Sequence, residues 1–413
     1  MKKIIFFVVF CLIFVPAAFS GNDTIRLTRS FGLQVSGFVR VDHLFDSRQT
    51  VEAVEGLNSF YPSPVLPDEN GKDLNAAPKA NLVALGTRLG TRFFAPDLFR
   101  AKSSAYIEFD FTGTSNTNGI RLRQAYVNLE WPKSSLLMGR AWHPLSYECP
   151  TTVAAFNAGA PFWVFNRSDQ VRFNYTPGNW LLSAVMVYHS DFSSDGPNGK
   201  SSAYLRNAVI PEFAIDVTYK SAAFQTGIVG SIKTIKPRLF TTGSNNEVYK
   251  TDEKLTSSAV LAYTQYRFSK WLFKAQATYS QNMNESLMLG GYAVSSLDPA
   301  TGYEKYTPTQ SMTYWLTVDY GTKWQVGLFA GYIDNLGTLD DVAGAFFARA
   351  PDIKYMYRIA PHLYYNVGNW QFVAEIDYTA AAYGDIRPDK RAKVINEKEV
   401  GCFRSNLSAR FFF

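Results

Sequence analysis

Segment after segment of this chain alternates apolar and polar residues with period two, and this pattern limits the fold more than any other feature. In the stretch 271–279, one face has aromatic residues at its two ends, Trp271 and Tyr279, while the other face is mostly polar. The stretches 312–320 and 370–378 are built in the same way. Period two indicates β-strands, and aromatic residues at both ends of an apolar face are typical of strands that cross a membrane.

The composition excludes several other classes of protein. The 413 residues include 24 Tyr, 32 Phe and 8 Trp, and only 18% are charged, below the roughly 25% of soluble domains. The net charge of +6 comes without a dense Lys/Arg run, so a nucleic-acid-binding protein is not expected. Beyond Gly21 no ten consecutive residues are apolar, so no transmembrane helix is predicted.

The first twenty residues are predicted to be a secretory signal peptide. Lys2 and Lys3 precede the apolar stretch 4–15, and small residues follow before Gly21. Cleavage after Ser20 would leave one barrel domain, residues 21–413. The alternative is an uncleaved N-terminal anchor, although the apolar stretch is short for a bilayer span.

The connections between strands alternate in length, which predicts a transmembrane antiparallel β-barrel of the all-β class with about 16 strands. Short turns connect the strands at one end of the predicted barrel. Long polar loops connect them at the other end, at 47–81, 144–168, 190–207, 235–255, 281–310, 334–352 and 381–399, with a shorter loop at 112–119. The predicted strands are 32–46, 82–94, 102–111, 119–131, 136–143, 169–176, 180–189, 208–220, 223–234, 256–268, 270–280, 311–320, 324–333, 353–367, 370–380 and 400–413.

The last strand carries a candidate assembly signal. Its apolar face ends in Phe411 and Phe413, and a final aromatic residue resembles the signal by which the barrel-assembly machinery recognises its substrates. Together with the signal peptide, this predicts a Gram-negative outer membrane as the location, with outer-membrane lipid around the barrel.

Two stretches resemble a known family. Residues 119–144 read GIRLRQAYVNLEWPKSSLLMGRAWHP, and an arginine-rich strand, a tight turn and the segment LLMGR in this order are similar to the central region of trimeric bacterial porins. The stretch 357–378 and the segment 210–213 are similar to the same group. The best match is to the DcaP-like porins. The resemblance implies a water-filled channel for passive diffusion of small hydrophilic solutes and a homotrimer, consistent with loop 47–81 being long enough to reach a neighbour.

In such porins the third long loop folds into the barrel, and here that loop is 144–168. An exposed loop would not carry so many aromatic residues, so we expect the loop to narrow the channel. The alternative is packing on a neighbouring subunit or on top of the barrel. The residues assigned to this constriction loop are Pro144, Phe156, Phe162, Trp163 and Phe165.

The side of each strand opposite its apolar face should line the channel. The predicted basic lining is Arg40, Arg88, Arg92, Arg121, Arg123, Arg140, Arg172, Lys233, Lys274, Lys354, Arg358, Arg404 and Arg410. The predicted acidic lining is Asp42, Glu108, Asp110, Asp216, Asp319, Glu375 and Asp377. The basic excess predicts a preference for small anionic solutes. The alternative is a set of paired charges without strong selectivity.

Two cysteines, Cys149 and Cys402, remain after processing, and a disulfide between them would pin the third loop to the wall; sequence spacing leaves this open. Scattered histidines and two cysteines predict no metal site, and no cofactor is expected.

Two other functions compete with a porin. A barrel hydrolase could use His189, Ser190 and Asp191, which are adjacent in sequence, but adjacency is not the geometry of a catalytic triad. A surface adhesin or receptor could bind through the long loops. We expect no enzyme activity.

Overall fold

The computed structural model describes residues 25–26, 31–113, 119–147, 149–152 and 159–413, so the predicted signal peptide and Phe156 lie outside the described residues. Sixteen strands of this part of the chain form one antiparallel barrel. They are β1 Gly32–Asp46, β2 Arg88–Leu98, β3 Ala101–Asp110, β4 Arg121–Trp131, β5 Ser134–Trp142, β6 Arg167–Tyr175, β7 Trp180–Tyr188, β8 Glu212–Lys220, β9 Phe224–Ile235, β10 Leu255–Phe268, β11 Trp271–Gln281, β12 Glu304–Gly321, β13 Trp324–Thr338, β14 Ile353–Val367, β15 Trp370–Arg387 and β16 Lys393–Phe412. The predicted fold class and strand number are confirmed.

The barrel closes where the last strand pairs with the first. Residues Phe38–Asp46 of β1 pair with β16, from Phe38 opposite Phe412 to Asp46 opposite Arg404. On its other edge, β1 pairs with β2 and with a short strand, Lys79–Val83, that precedes β2. The second wall strand is therefore interrupted, where the sequence predicted one continuous strand.

The pattern of side-chain burial along the strands is the reverse of the pattern in a soluble protein. In β8, Ile215 is 64% exposed on the outside, whereas its neighbour Asp216 is 5% exposed and faces the interior. Exposed apolar residues also alternate with buried residues along β7, where the buried side chains are Ser183, Val185 and Val187. Period two puts consecutive side chains on opposite faces of the wall, so the apolar face of each strand points outward.

Short turns connect the strands at one end of the barrel, and long loops connect most of them at the other. The predicted loop 381–399 is wrong, because β15 and β16 stay paired as far as Arg387 and Lys393. Within the predicted loop 281–310, the strand Gly290–Leu297 pairs with β12, which begins at Glu304. These extensions lie beyond the wall, where no apolar face marks a strand in the sequence.

The predicted strand 208–220 is also shorter than expected. A helix occupies Ala203–Ala208, and β8 begins only at Glu212. Pro211 immediately precedes the strand and has no backbone N–H to donate to a ladder. Among the described residues, no helix is both long and apolar enough to span a membrane.

Candidate functional site in the barrel interior

The third long loop, residues 143–166 in the structure (L3), leaves the wall between β5 and β6 and contacts the opposite side of the interior. Thr152 donates its hydroxyl to the Glu375 carboxylate of β15 at 2.7 Å. Lys274 of β11 donates to the backbone oxygen of Cys149 at 3.0 Å. Because β6 and β15 lie about half a circumference apart, L3 crosses the barrel, and the predicted inward fold is confirmed.

Aromatic side chains of L3 pack inside the same barrel. The rings of Phe162 and Phe329, which faces inward from β13, have centroids 6.0 Å apart. Trp163 and Phe165 are buried, and each ring lies 5.4 Å from that of Trp142. These aromatic residues are thus covered by their own barrel. This argues against the alternative that the loop packs on a neighbouring subunit. Pro144 is buried at the start of the loop.

A second loop segment enters the interior, which the sequence did not predict. The hairpin of Thr50–Ala53 and Asn58–Pro62 (the L1 hairpin) places Leu57, Phe60 and Tyr61 in one buried cluster with Phe162 of L3. Burial raises the pKa of the Tyr61 phenol, so this side chain stays neutral. This part of loop 47–81 therefore packs on its own barrel and does not reach towards a neighbour.

Arg358 on β14 joins the two loops. Its guanidinium donates to the backbone oxygens of Ala160 at 3.0 Å, Ser59 at 2.8 Å and Phe60 at 3.1 Å. Asp377 on β15 lies 3.1 Å from the Nε atom of this fully buried side chain. Three of its donor contacts thus satisfy loop carbonyls that water cannot reach.

Strands β1–β4 bring together several predicted lining residues as ion pairs. Arg40 and Asp42 are 2.7 Å apart. Arg123 lies 2.6 Å from both Glu108 and Asp110, and Arg121 lies 2.8 Å from Asp110. Arg88 and Arg92 lie over aromatic rings, at 5.4 Å from the Phe38 centroid and 5.1 Å from that of Tyr106.

Most of the other predicted lining residues are held by contacts with the wall or with loops. Arg172 donates to the backbone oxygen of Trp142, and Arg410 donates to Gln371. Three further ion pairs involve predicted residues: Lys233 with Glu285 at 2.8 Å, Arg404 with Asp46 at 3.7 Å and Asp319 with His362 at 2.8 Å. Asp216 accepts a hydrogen bond from Thr218.

Two predicted lining residues lie elsewhere. Arg140 pairs in register with Ala125 and Asp169, on the face where Met138 is exposed, and its guanidinium binds Asp191 at 2.6 Å. It is therefore not part of the basic interior wall that the sequence predicted. Lys354 lies where a bulge breaks the β14–β15 register, and its amine binds Glu397 at 2.6 Å.

The structure holds no disulfide between Cys149 and Cys402, the pairing that the sequence left open. Cys402 is a free thiol on β16, and its sulfur lies 3.7 Å from the hydroxyl of Ser47. Cys149 lies in L3, where its backbone oxygen accepts from Lys274 on β11. The two residues sit on different parts of the barrel, so spacing in sequence gave no measure of their separation.

Two further features of the interior were not predicted. Arg167 is buried at the start of β6, with its guanidinium 4.7 Å from the Trp142 ring centroid and 4.8 Å from that of Phe165. A cavity of about 580 Å³ opens at the short-turn end, lined on its polar side by Arg88, Tyr106 and Glu108. The alternation of apolar and polar residues did not point to Arg167, because this residue directly follows the aromatic loop.

The adjacent residues His189, Ser190 and Asp191 do not form a catalytic relay. His189 shares a hydrogen bond with Glu212 at 2.7 Å. Ser190 and Asp191 both bind the guanidinium of Arg140.

No protein-family model matches the sequence, and no curated protein matches it. Solved structures do match. The outer membrane channel DcaP of Acinetobacter baumannii superposes with a TM-score of 0.67 at 18% identity, over 94% of this chain and 99% of that one. The fold is that of the outer-membrane porins.

Two other solved porin-fold structures support this likeness. The anion-selective porin from Comamonas acidovorans matches with a TM-score of 0.55 at 10% identity, over 93% of this chain and all of that one. A trimer form of OmpT, an outer membrane protein of Vibrio cholerae, matches with a TM-score of 0.53 at 10% identity, with the same coverage. The resemblance to DcaP-like porins that the sequence predicted is thus confirmed for the fold.

Proposed function

We propose that this protein is an outer-membrane porin that lets small hydrophilic solutes diffuse passively through its interior. The observation that carries the proposal is the reversed burial of the wall, with apolar side chains outside and charged ones inside. Such an outer surface needs hydrocarbon around it, because apolar surface left in water costs about 25 cal/mol per Å². A polar interior narrowed by L3 is suited to water and small solutes.

The finer proposal is a preference for small anions. Arg40, Arg88, Arg92, Arg121 and Arg123 come from β1–β4, and the 580 Å³ cavity borders this basic side. A solute passing L3 would therefore travel along arginine side chains, whose field attracts anions and repels cations. The ion pairs with Asp42, Glu108 and Asp110 reduce this field, so the competing proposal is a channel with little selectivity.

Reversal potentials in a salt gradient distinguish the two proposals. Wild-type protein in planar bilayers should pass current and favour chloride over potassium. Arg92→Gln removes a charge that lies over the ring of Tyr106, which lines the cavity, so the anion preference should fall roughly twofold or more. Lys250→Gln removes the same charge from an exposed loop strand and should change nothing.

Four outcomes would count against these proposals. Cation preference in the wild type would sink the anion proposal, and an unchanged ratio in Arg92→Gln would favour paired charges without selectivity. A barrel that passes no current but binds a host ligand would favour an adhesin. Lipase or protease activity of the purified barrel would favour a hydrolase.

We also propose the route by which the barrel reaches its place. Residues 1–20 would direct export and be removed, and the barrel-assembly machinery would recognise the last strand through Phe411 and Phe413. In support, Phe413 exchanges backbone hydrogen bonds with Gly37, where the last strand meets the first. The residues of the candidate signal therefore lie at the place where the barrel closes. Assembly as a homotrimer is supported by the resemblance to trimeric porins.

A further inference from the structure

Three residues far apart in the sequence form one buried cluster at the long-loop end of the wall. His143 follows β5 at the start of L3, His189 follows β7, and Glu212 begins β8. Their exposed fractions are 2%, 5% and 2%. The porin proposal gives these side chains no task, and each polar atom buried here needs a partner.

The donor atoms of the cluster converge on one point. His143 Nε2 lies 3.2 Å from one carboxylate oxygen of Glu212, and His189 Nε2 lies 2.7 Å from the other. One ligand atom from each residue can be chosen so that all three lie within 4.8 Å of one another. Donors around a tetrahedral zinc ion are about 3.3 Å apart, from bonds of about 2.0–2.1 Å. Small side-chain movements would therefore suffice to place a metal ion among them.

A second observation points to a ligand. Among the described residues, His143 Nε2 is buried without a well-aligned hydrogen bond, although it points towards Glu212. Such an atom is costly to bury, and a metal ion bound at this nitrogen, once its proton has moved to Nδ1, would satisfy it.

We propose that His143, His189 and Glu212 bind one zinc ion, which fastens the start of L3 to the wall. Two imidazole nitrogens and a carboxylate are the protein ligands of many zinc sites with an open fourth position, whereas calcium and magnesium prefer oxygen ligands alone. The ion would link β5, β7 and β8 across β6, which lies between them.

Binding should also change the first residues of L3. The backbone N–H of Leu145 donates to His143 Nδ1 at 3.2 Å, which keeps the ring proton on Nε2. For Nε2 to bind zinc, this proton moves to Nδ1, and the Leu145 hydrogen bond breaks. Leu145 is fully buried in one cluster with Val164 and Val229, so the lost hydrogen bond would lie at the buried base of the loop.

Zinc content measures the site directly. The folded barrel is stripped with a chelator, dialysed against zinc chloride with excess magnesium, washed, and analysed for bound metal. We expect about one zinc per chain in the wild type and affinity reduced at least about tenfold in His189→Asn and Glu212→Gln. His43→Asn is the matched control, because His43 lies exposed on β1 and should leave zinc binding unchanged.

Two results would overturn the proposal: wild-type protein that retains no more zinc than His189→Asn, or His43→Asn that loses the zinc as well. Circular dichroism shows whether each variant still forms the barrel. If the variants do not fold, X-ray absorption of the zinc-loaded wild type decides, since two imidazole nitrogens are expected and sulfur ligands would contradict the site.

Discussion

Inward-facing positions on β13 and β14 show what single residues contribute to the interior. Alternation predicts that Arg358 faces inward, yet its contacts with Ser59 and Ala160 join segments some 200 to 300 residues apart in the sequence. Gly331 is the complementary case, a position where a missing side chain makes room for L3. A Cβ atom there would lie 2.7 Å from the Phe162 ring, closer than van der Waals contact permits.

Gly331→Ala should therefore push Phe162 away from the wall. We expect the free energy of unfolding to fall by about 1–3 kcal/mol, as in other overpacked cores, and the single-channel conductance to fall because L3 is pushed further into the channel. Thermal unfolding in detergent and bilayer recordings measure the two effects.

Two further variants check the cause of this effect. Gly230→Ala is the control, since the nearest atom to its added Cβ would be 4.0 Å away. Adding Phe162→Ala to Gly331→Ala should recover part of the conductance, and an unaltered double variant would contradict the proposed contact.

The paired end of β15 and β16 illustrates how elements depart from their sequence pattern. Polar residues on both faces of 385–395 led to the prediction of a loop, but backbone pairing continues to Arg387 and Lys393. A ladder needs only backbone groups, and beyond the wall neither face has to be apolar. The tip also contacts the end of β13, since the backbone N–H of Thr338 donates to the backbone oxygen of Arg391.

Replacing residues 386–394 by a two-residue turn should leave the barrel folded. Only contacts outside the wall are lost, so we expect unchanged channel conductance and a small decrease in melting temperature. Bilayer recordings measure the conductance, and thermal unfolding monitored by circular dichroism measures the melting temperature. Deleting Gly368 and Asn369, the turn between β14 and β15, should instead prevent folding because it breaks the wall's register. A shortened tip that fails to fold would show that the extension is needed for assembly.

For the whole molecule, the outward surface decides the environment in which the barrel is stable. Exposed apolar residues such as Ile215 on β8 and Ile228 on β9 form a continuous face. Together they form a surface far larger than the isolated patches of soluble proteins. The interior, with its ion pairs and two inserted loops, supplies the polar environment that the outside lacks.

Ile215→Lys should weaken folding into lipid vesicles by about 2–4 kcal/mol, because the charge faces hydrocarbon. Urea-dependent folding followed by tryptophan fluorescence measures this cost. Val248→Lys makes the same exchange on an exposed loop strand and should cost little. Equal costs for the two variants would argue against a hydrocarbon environment around β8.

The sequence by itself determined the strands, their number and which face of most strands points outward, because alternation is a local property written into each segment. It also predicted that the aromatic third loop must be buried. Only the tertiary structure decided the L1 hairpin, the outward position of Arg140 and the meeting of His143, His189 and Glu212. These depend on strand stagger, bulges and the closure of the barrel, which bring distant segments together and which no local pattern records.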